Sequence, residues 1–344
     1  MTPNEALHFA PGSEGLLAPL KPWLDNPAVS EILINQPGEV FIEAHGEMFH
    51  HELPVLTLRH VKHLFTLLAN ENQQVLNESS PMLSGNLPDG SRVQLVIPPA
   101  AKHYTLSIRR QSIVARTLTD YAASDFYQQA KPFYLDCNRA SLQSADDKAL
   151  LALYHQKRWD EFIAQAVLQK KNIVIAGETS SGKTTFLNAC CNHIPLHERI
   201  ITLEDTYEVV TPHRNQVSLL APKRREGEKG LTMQELVQCS LRLRPDRLIM
   251  GEIRGREILD FLSACATGHA GSITSIHASN PRVAFMRMTQ LYKLNNVPSM
   301  RDNDILRELH EIIDIIVQVQ RTPQGRMATW VYFKDADTYL GEGH

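Results

Sequence analysis

The stretch that most limits what this chain can become is Asn172–Leu187, NIVIAGETSSGKTTFL. Its first part, Ile173–Ala176, is a short apolar run that reads as a buried parallel strand. The next part fits G-x-x-x-x-G-K-S/T without a mismatch, from Gly177 through Gly182 and Lys183 to Thr184, and helix-forming residues follow. Strand, glycine-rich turn and helix in that order make a phosphate cradle. Gly177 and Gly182 permit backbone angles and close approaches that a Cβ would obstruct. The N–H groups of Thr179, Ser180, Ser181 and the residues up to Thr185 can then surround phosphate oxygens at a helix N-terminus. Lys183 would lie along the β- and γ-phosphates, and the Thr184 hydroxyl would ligate Mg²⁺. A chance glycine-rich turn is the competing reading; the strand before, the helix after and the full match argue against it.

Composition narrows the class. With 344 residues the chain is long enough for about two domains, each with a core. Lys plus Arg number 35 and Asp plus Glu 38, a formal net charge of −3, so no global basic field points to nucleic acid. No apolar run approaches the ~18 residues that span a bilayer. The N-terminus carries Glu5 and Glu14, has no Lys or Arg before Lys21 and lacks a long apolar core, which argues against a signal peptide. A cytoplasmic location is the expectation. The cysteines, Cys137, Cys190, Cys191, Cys239 and Cys265, are odd in number and include no C-x-x-C pair, so neither a disulfide framework nor a zinc ribbon is expected. His60 and His63 share a helical face with no carboxylate or cysteine cluster beside them and read as surface positions.

Patterning divides the chain into an α+β domain over residues 1–115, a linker over 116–145 and an α/β domain with a mainly parallel sheet over 146–344. In the first, Ser30–Asn35 and Val40–Ala44 read as strands, with a turn at His45-Gly46 into a third near Met48. A helix is expected over Thr57–Leu76. Alternation in GNLPDGSRVQLVIPP puts Val93, Leu95 and Ile97 on one face and Arg92 and Gln94 on the other. In YTLSIRR it likewise sets Arg109 opposite the apolar side. A solvated face with exposed arginines accounts for this pattern as well as a functional one does. In the second domain, strands are expected at Ile173–Ala176, Arg199–Leu203, Gln216–Leu219, Arg247–Met250 and Ser272–Ile276. Helices are expected at Lys183–Asn192, Thr232–Leu243, Arg256–Ala266 and Asp302–Ile312, and a terminal hairpin about Thr322-Pro323-Gln324-Gly325.

Three segments join the phosphate loop. ITLEDTYEV sets Glu204 and Asp205 at a strand end, where α/β folds present polar groups to ligands. RPDRLIMGEIRG ends an apolar strand at Gly251-Glu252, where a carboxylate can reach a Mg²⁺ shell or orient water. TGHAGSITSIHA brackets a strand with His269 and His277. Taken singly, the acidic residues could be helix caps and the histidines packed structure.

Together these motifs resemble the hexameric secretion ATPases of type II and type IV secretion and type IV pilus systems, and within them the traffic ATPases of type IV secretion and conjugation machines. GETSSGKTT is similar to that family's phosphate loop, TLEDTYE to its aspartate box, RPDRLIMGEIRG to its Walker B segment and TGHAGSITSIHA to its histidine box. LPDGSRVQLVIPP and LSIRR resemble the end of its N-terminal domain. The C-x-x-C zinc motif of many type II members is absent, which favours the type IV branch.

The resemblance implies a P-loop, RecA-like ATPase domain preceded by a smaller α+β domain, assembled as a homo-hexamer. It implies ATP and Mg²⁺ as ligands, a place at the cytoplasmic face of the inner membrane beside membrane components of a secretion machine, and substrate translocation or pilus assembly as the work done. In that reading Lys183 and Thr184 hold triphosphate and metal, and Glu252 and Glu204 orient or activate water, Glu252 meeting the metal through water. His269 or His277 senses the γ-phosphate. Arg92, Arg109 and Arg244 neutralise charge in the transition state. A pilus-retraction or type II motor, and a nucleotide-gated interaction module with negligible turnover, remain as alternatives. A GTP switch is disfavoured because no N/T-K-x-D motif is present.

Overall fold

The computed structural model describes residues 12–110, 144–221 and 230–337. Most of the expected linker, and Cys137 with it, lies outside the described residues. The chain forms two compact units. One takes in the described residues of 1–111, 197–207 and 213–246, and the other those of 112–196, 208–212 and 247–344. No helix among the described residues is long and apolar enough to cross a membrane.

The first unit is built on an antiparallel sheet of six strands. These are β1 (Val29–Ile34), β2 (Glu39–Ala44), β3 (Glu47–Glu52), β4 (Met82–Asn86), β5 (Arg92–Val96) and β6 (Thr105–Arg109), in the spatial order β3-β2-β1-β6-β5-β4. Helix α1 (Leu58–Glu71) lays Val61, Leu64, Phe65 and Leu68 against Ile32, Ile34, Val93, Leu95 and Leu106 of the sheet. Thr57 caps it, its hydroxyl accepting from the His60 N–H at 3.2 Å. The helix ends before the expected Leu76. Gln73 takes φ +53°, and the Asn72 side chain donates to the Leu68 carbonyl at 2.8 Å, a polar stop that outweighs the apolar period.

The other side of this sheet is solvated only in part. Gln94, Ser107 and Thr105 are buried, whereas Arg92 and Arg109 are exposed. Gln94 lies 3.4 Å from the Cys239 sulfur on α5 (Met233–Ser240). The parallel strands β8 (Ile200–Glu204) and β9 (Gln216–Leu220) belong to the same unit. They are stitched to it through Leu220 N–H to the Ala100 carbonyl at 2.8 Å and Lys102 N–H to the Ser218 carbonyl at 3.2 Å. Arg199, fully buried, anchors the join: Nη1 donates to Asn35 Oδ1 at 2.6 Å and Nε to the Leu243 carbonyl at 2.8 Å.

The second unit carries β7 (Ile173–Gly177), β10 (Arg247–Met250), β11 (Ile273–Ile276), β12 (Ile315–Thr322) and β13 (Gly325–Phe333), ordered β13-β12-β7-β11-β10. β12, β7, β11 and β10 run parallel and are buried almost throughout, as a sheet covered on both faces requires, and β13 closes the edge as an antiparallel hairpin. The surrounding helices are α2 (Ala145–His155), α3 (Trp159–Leu168), α4 (Lys183–Cys191), α6 (Glu257–Ala266), α7 (Pro281–Lys293) and α8 (Asp302–Ile312). Cys190, Cys191, Cys239 and Cys265 are buried in the core.

Candidate active site

Parallel strands put their C-terminal ends on one edge of a sheet, and that edge gathers the chemistry of the second unit. Gly177 closes β7, Glu252 follows β10 and His277 follows β11, which lies between the other two. The side chains meet. Lys183 Nζ donates to the carbonyls of Gly177 at 3.1 Å and Glu178 at 2.9 Å and stands 3.5 Å from His277 Nδ1. His277 Nε2 is 3.1 Å from Glu252 Oε1, and Glu252 Oε2 accepts from Arg254 Nη2 at 2.7 Å. Burial lowers the His277 pKa, with Glu252 opposing, so the ring is neutral near pH 7. A neutral ring beside an ammonium must accept at Nδ1 and carry its proton on Nε2, from which it donates to Glu252. Burial also lowers the Lys183 pKa, with Glu252 again pulling the other way.

The loop itself is shaped for an anion. Gly182 sits at φ +98° as the residue before α4, with no side chain capping the helix, so first-turn N–H groups are left for a ligand. Ser180 holds φ +61°. A Cβ on Gly177 would stand 2.4 Å from Ser181 Oγ and 2.5 Å from the Val319 carbonyl oxygen, which explains the glycine. Ser181 Oγ is buried with no protein partner, the kind of orphaned group a phosphate oxygen satisfies. Thr179 and Thr185 are exposed beside it. The Thr184 hydroxyl donates to Glu208 Oε2 at 3.3 Å. Together with Glu252 these oxygens are the hard donors that Mg²⁺ takes; among the described residues no cluster of three or more His, Cys, Asp or Glu forms a metal cage.

Two further predicted site residues are His269 and Glu204. His269 precedes β11, on the edge opposite His277; its carbonyl accepts from Ser272 Oγ at 2.7 Å, so of the two histidines only His277 reaches Lys183. Glu204 closes β8 in the first unit, buried, where Thr202 Oγ1 donates to its Oε2 at 3.2 Å. Three members of the second unit lie outside the residues that the sequence singles out. Glu208 and Arg254 sit inside the quoted acidic and Walker B segments, so the signal was present, whereas Arg326, whose Nε donates to the Ser180 carbonyl at 3.2 Å, gave none.

The arginines of the first unit also converge. Arg92 and Arg109 face each other across β5 and β6, and with Arg242, Arg244, Gln94 and Glu31 they line a cavity of about 410 Å³. Arg244 is engaged by two carboxylates. Its Nε and Nη2 donate to Glu43 at 2.7 and 2.9 Å, and its Nη1 to Asp246 at 2.8 Å. Glu31 is buried, its Oε1 3.6 Å from Arg109 Nε and its Oε2 without a partner. Burial pushes its pKa up to about 7 against the pull of Arg109.

Residues 14–322 match the family described as Type II/IV secretion system protein. The chain belongs to the type II/IV secretion system protein family. Its relatives include the type IV secretion system protein VirB11 of Brucella suis, 37% identical over 309 residues that span 88% of this chain and 84% of that protein. Another is the type IV secretion system protein PtlH of Bordetella pertussis, 36% identical over 317 residues and 89% of both chains. The crystal structure of the Brucella suis VirB11 ATPase in complex with sulphate superposes with a TM-score of 0.87 at 34% identity, covering 95% of this chain and 98% of that one. Both compact units therefore follow the fold of this family.

Proposed function

We propose that the protein is a Mg²⁺-dependent ATPase that hydrolyses ATP to ADP and phosphate as the motor of a type IV secretion system. The observation that carries this reading is the chain of contacts Lys183–His277–Glu252 at the mouth of an uncapped, glycine-shaped phosphate loop. The relatives support it: VirB11 and PtlH are named as type IV secretion proteins, and the Brucella suis VirB11 ATPase was crystallised with sulphate, an anion of phosphate-like shape. The phosphate loop, Glu252 and His277, all within residues 146–344, form the core of the nucleotide site, and Arg92 and Arg109 of residues 1–115 add to it.

In this mechanism the loop N–H groups and Lys183 bind the β- and γ-phosphates, and Lys183 trades its bonds to the Gly177 and Glu178 carbonyls for phosphate oxygens. Mg²⁺ would be held by Thr184 and, through water, by Glu252, and would neutralise charge on the β- and γ-oxygens. Glu252, oriented by His277 and Arg254, positions the water whose oxygen attacks the γ-phosphorus. The bond from that phosphorus to the β–γ bridging oxygen breaks, and ADP leaves with the bridging oxygen. His277, touching both Lys183 and Glu252, links phosphate occupancy to the position of the carboxylate. Glu204 is a second candidate for orienting water. Arg92 and Arg109 supply charge in the transition state, with Arg244 as a third source.

A homo-hexamer peripheral to the cytoplasmic face of the inner membrane, docked on membrane components of the secretion machine, is the assembly in which such a motor would work. Steady-state phosphate release by the purified protein tests the reading. Turnover that requires Mg²⁺ and is lost in Lys183→Ala supports it; nucleotide binding without turnover would make the protein a nucleotide-gated module.

A further inference from the structure

The family match ends at residue 322, and the hairpin strand that follows, β13, brings a side chain onto the phosphate loop. β12 pairs with β7 up to Val319 opposite Gly177, so the hairpin tip beyond Val319 extends past the start of the loop. Across the tip Arg321 pairs with Arg326 and Thr322 with Gly325. Arg326 leans on the loop at two points. Its Nε donates to the Ser180 carbonyl at 3.2 Å, and its Cδ lies 3.0 Å from where a Cβ on Gly182 would stand.

The peptide geometry gives this contact a consequence. In a trans peptide the carbonyl and the following N–H point in opposite directions. Holding the Ser180 carbonyl toward Arg326 therefore turns the Ser181 N–H into the loop, where it donates to the Glu178 carbonyl at 3.3 Å. That carbonyl is already taken by Lys183 Nζ at 2.9 Å, so the longer bond is readily exchanged for a phosphate oxygen. Ser180 is also at φ +61°, a left-handed conformation that a non-glycine residue keeps only when its surroundings impose it. The guanidinium, on an exposed side chain, adds positive charge beside the N-terminus of α4.

We propose that Arg326 is a positioning residue for the phosphate loop that sets affinity for the polyphosphate of a nucleoside di- or triphosphate and takes no part in bond breaking. The proposal rests on the phosphate-loop reading above. It acts on ADP and ATP alike, because it orders the loop rather than the terminal phosphate.

The test is titration calorimetry of the full-length protein with Mg·ADP, alongside steady-state ATP hydrolysis, for wild type, Arg326→Ala, Arg326→Lys, Arg326→Gln and Lys183→Ala, with thermal melting as a folding check. Arg326→Ala is expected to raise the Kd for ADP and the KM for ATP by about tenfold, the scale of one charge-assisted hydrogen bond, while kcat changes by less than about twofold. Arg326→Lys, which keeps a charge and a donor, recovers most of the affinity; Arg326→Gln, which keeps only a donor, does not. An Arg326→Ala protein with wild-type Kd, a loss confined to kcat, or a Gln variant as tight as wild type would each overturn the proposal. Loss of binding in Lys183→Ala beside an unaffected Arg326→Ala would overturn it and leave the phosphate loop standing. Undiminished binding in Lys183→Ala would remove both.

Discussion

Lys183 stands at the centre of the site because one ammonium holds two loop carbonyls and also faces His277. Lys183→Ala should weaken nucleotide binding by roughly ten- to hundredfold, the worth of charge-assisted bonds, and abolish turnover, while the melting temperature stays near wild type. Calorimetry and phosphate release check both parts; wild-type hydrolysis would contradict the assignment. Glu31 offers a test by pH. Its carboxyl has a folded-state pKa raised from 4.5 to about 7, so the unfolded chain releases this proton at lower pH than the folded one. The favourable contribution of the protonated form is complete below about pH 4.5 and is lost as pH climbs through 7, by an amount on the order of 3 kcal/mol. Glu31→Gln removes this loss, so its stability relative to wild type should increase from pH 5 to pH 8 in urea unfolding. Parallel profiles for the two proteins would contradict the burial argument.

At the scale of elements, the parallel strands were legible because each is a short apolar run bounded by polar residues. β7 and β10 begin where the pattern placed them, and the β12–β13 hairpin turns at its Thr322–Gly325 signal. Local pattern could not reveal what covers a face. Gln94 and Arg92 alternate alike, yet Gln94 is buried and Arg92 exposed, because residues far along the chain pack over one end of that face and leave the other open. The same limit hid β4, whose sequence MLSGN carries little strand propensity and owes its place to pairing with β5 and to Asn72 Oδ1 accepting the Asn86 N–H at 2.8 Å. In the site, residues inside a motif were readable and Arg326, brought in by a hairpin, was not. Motif position also failed to separate His269 from His277: only the direction of β11 assigns them to opposite edges. Gly177→Ala tests how tightly loop and sheet are joined. A Cβ there meets the Val319 backbone oxygen at 2.5 Å, so either β12 moves away or the loop does. We expect a stability loss of about 1–3 kcal/mol, as for overpacking, together with loss of nucleotide binding. A variant as stable and active as wild type would show the contact to be soft.

For the whole molecule, the central question is how two units make one engine. Arg92 and Arg109 face each other in the first unit, and the phosphate loop belongs to the second. If the arginines complete a neighbouring chain's site, mixing Arg92→Ala/Arg109→Ala chains with Lys183→Ala chains should restore ATPase activity as the ratio approaches equality. Absence of any recovery in rings proven to be mixed would favour completion within one chain. The most direct measurement on the chemistry itself is the identity of the nucleotide that stays bound. Wild-type protein and Glu252→Gln are incubated with Mg·ATP, freed of unbound nucleotide and quenched, and their contents separated. The account predicts ADP on the wild type and intact ATP on Glu252→Gln, whose amide keeps the shape of the carboxylate but cannot organise metal and water. ADP formed by Glu252→Gln at the wild-type rate would contradict it.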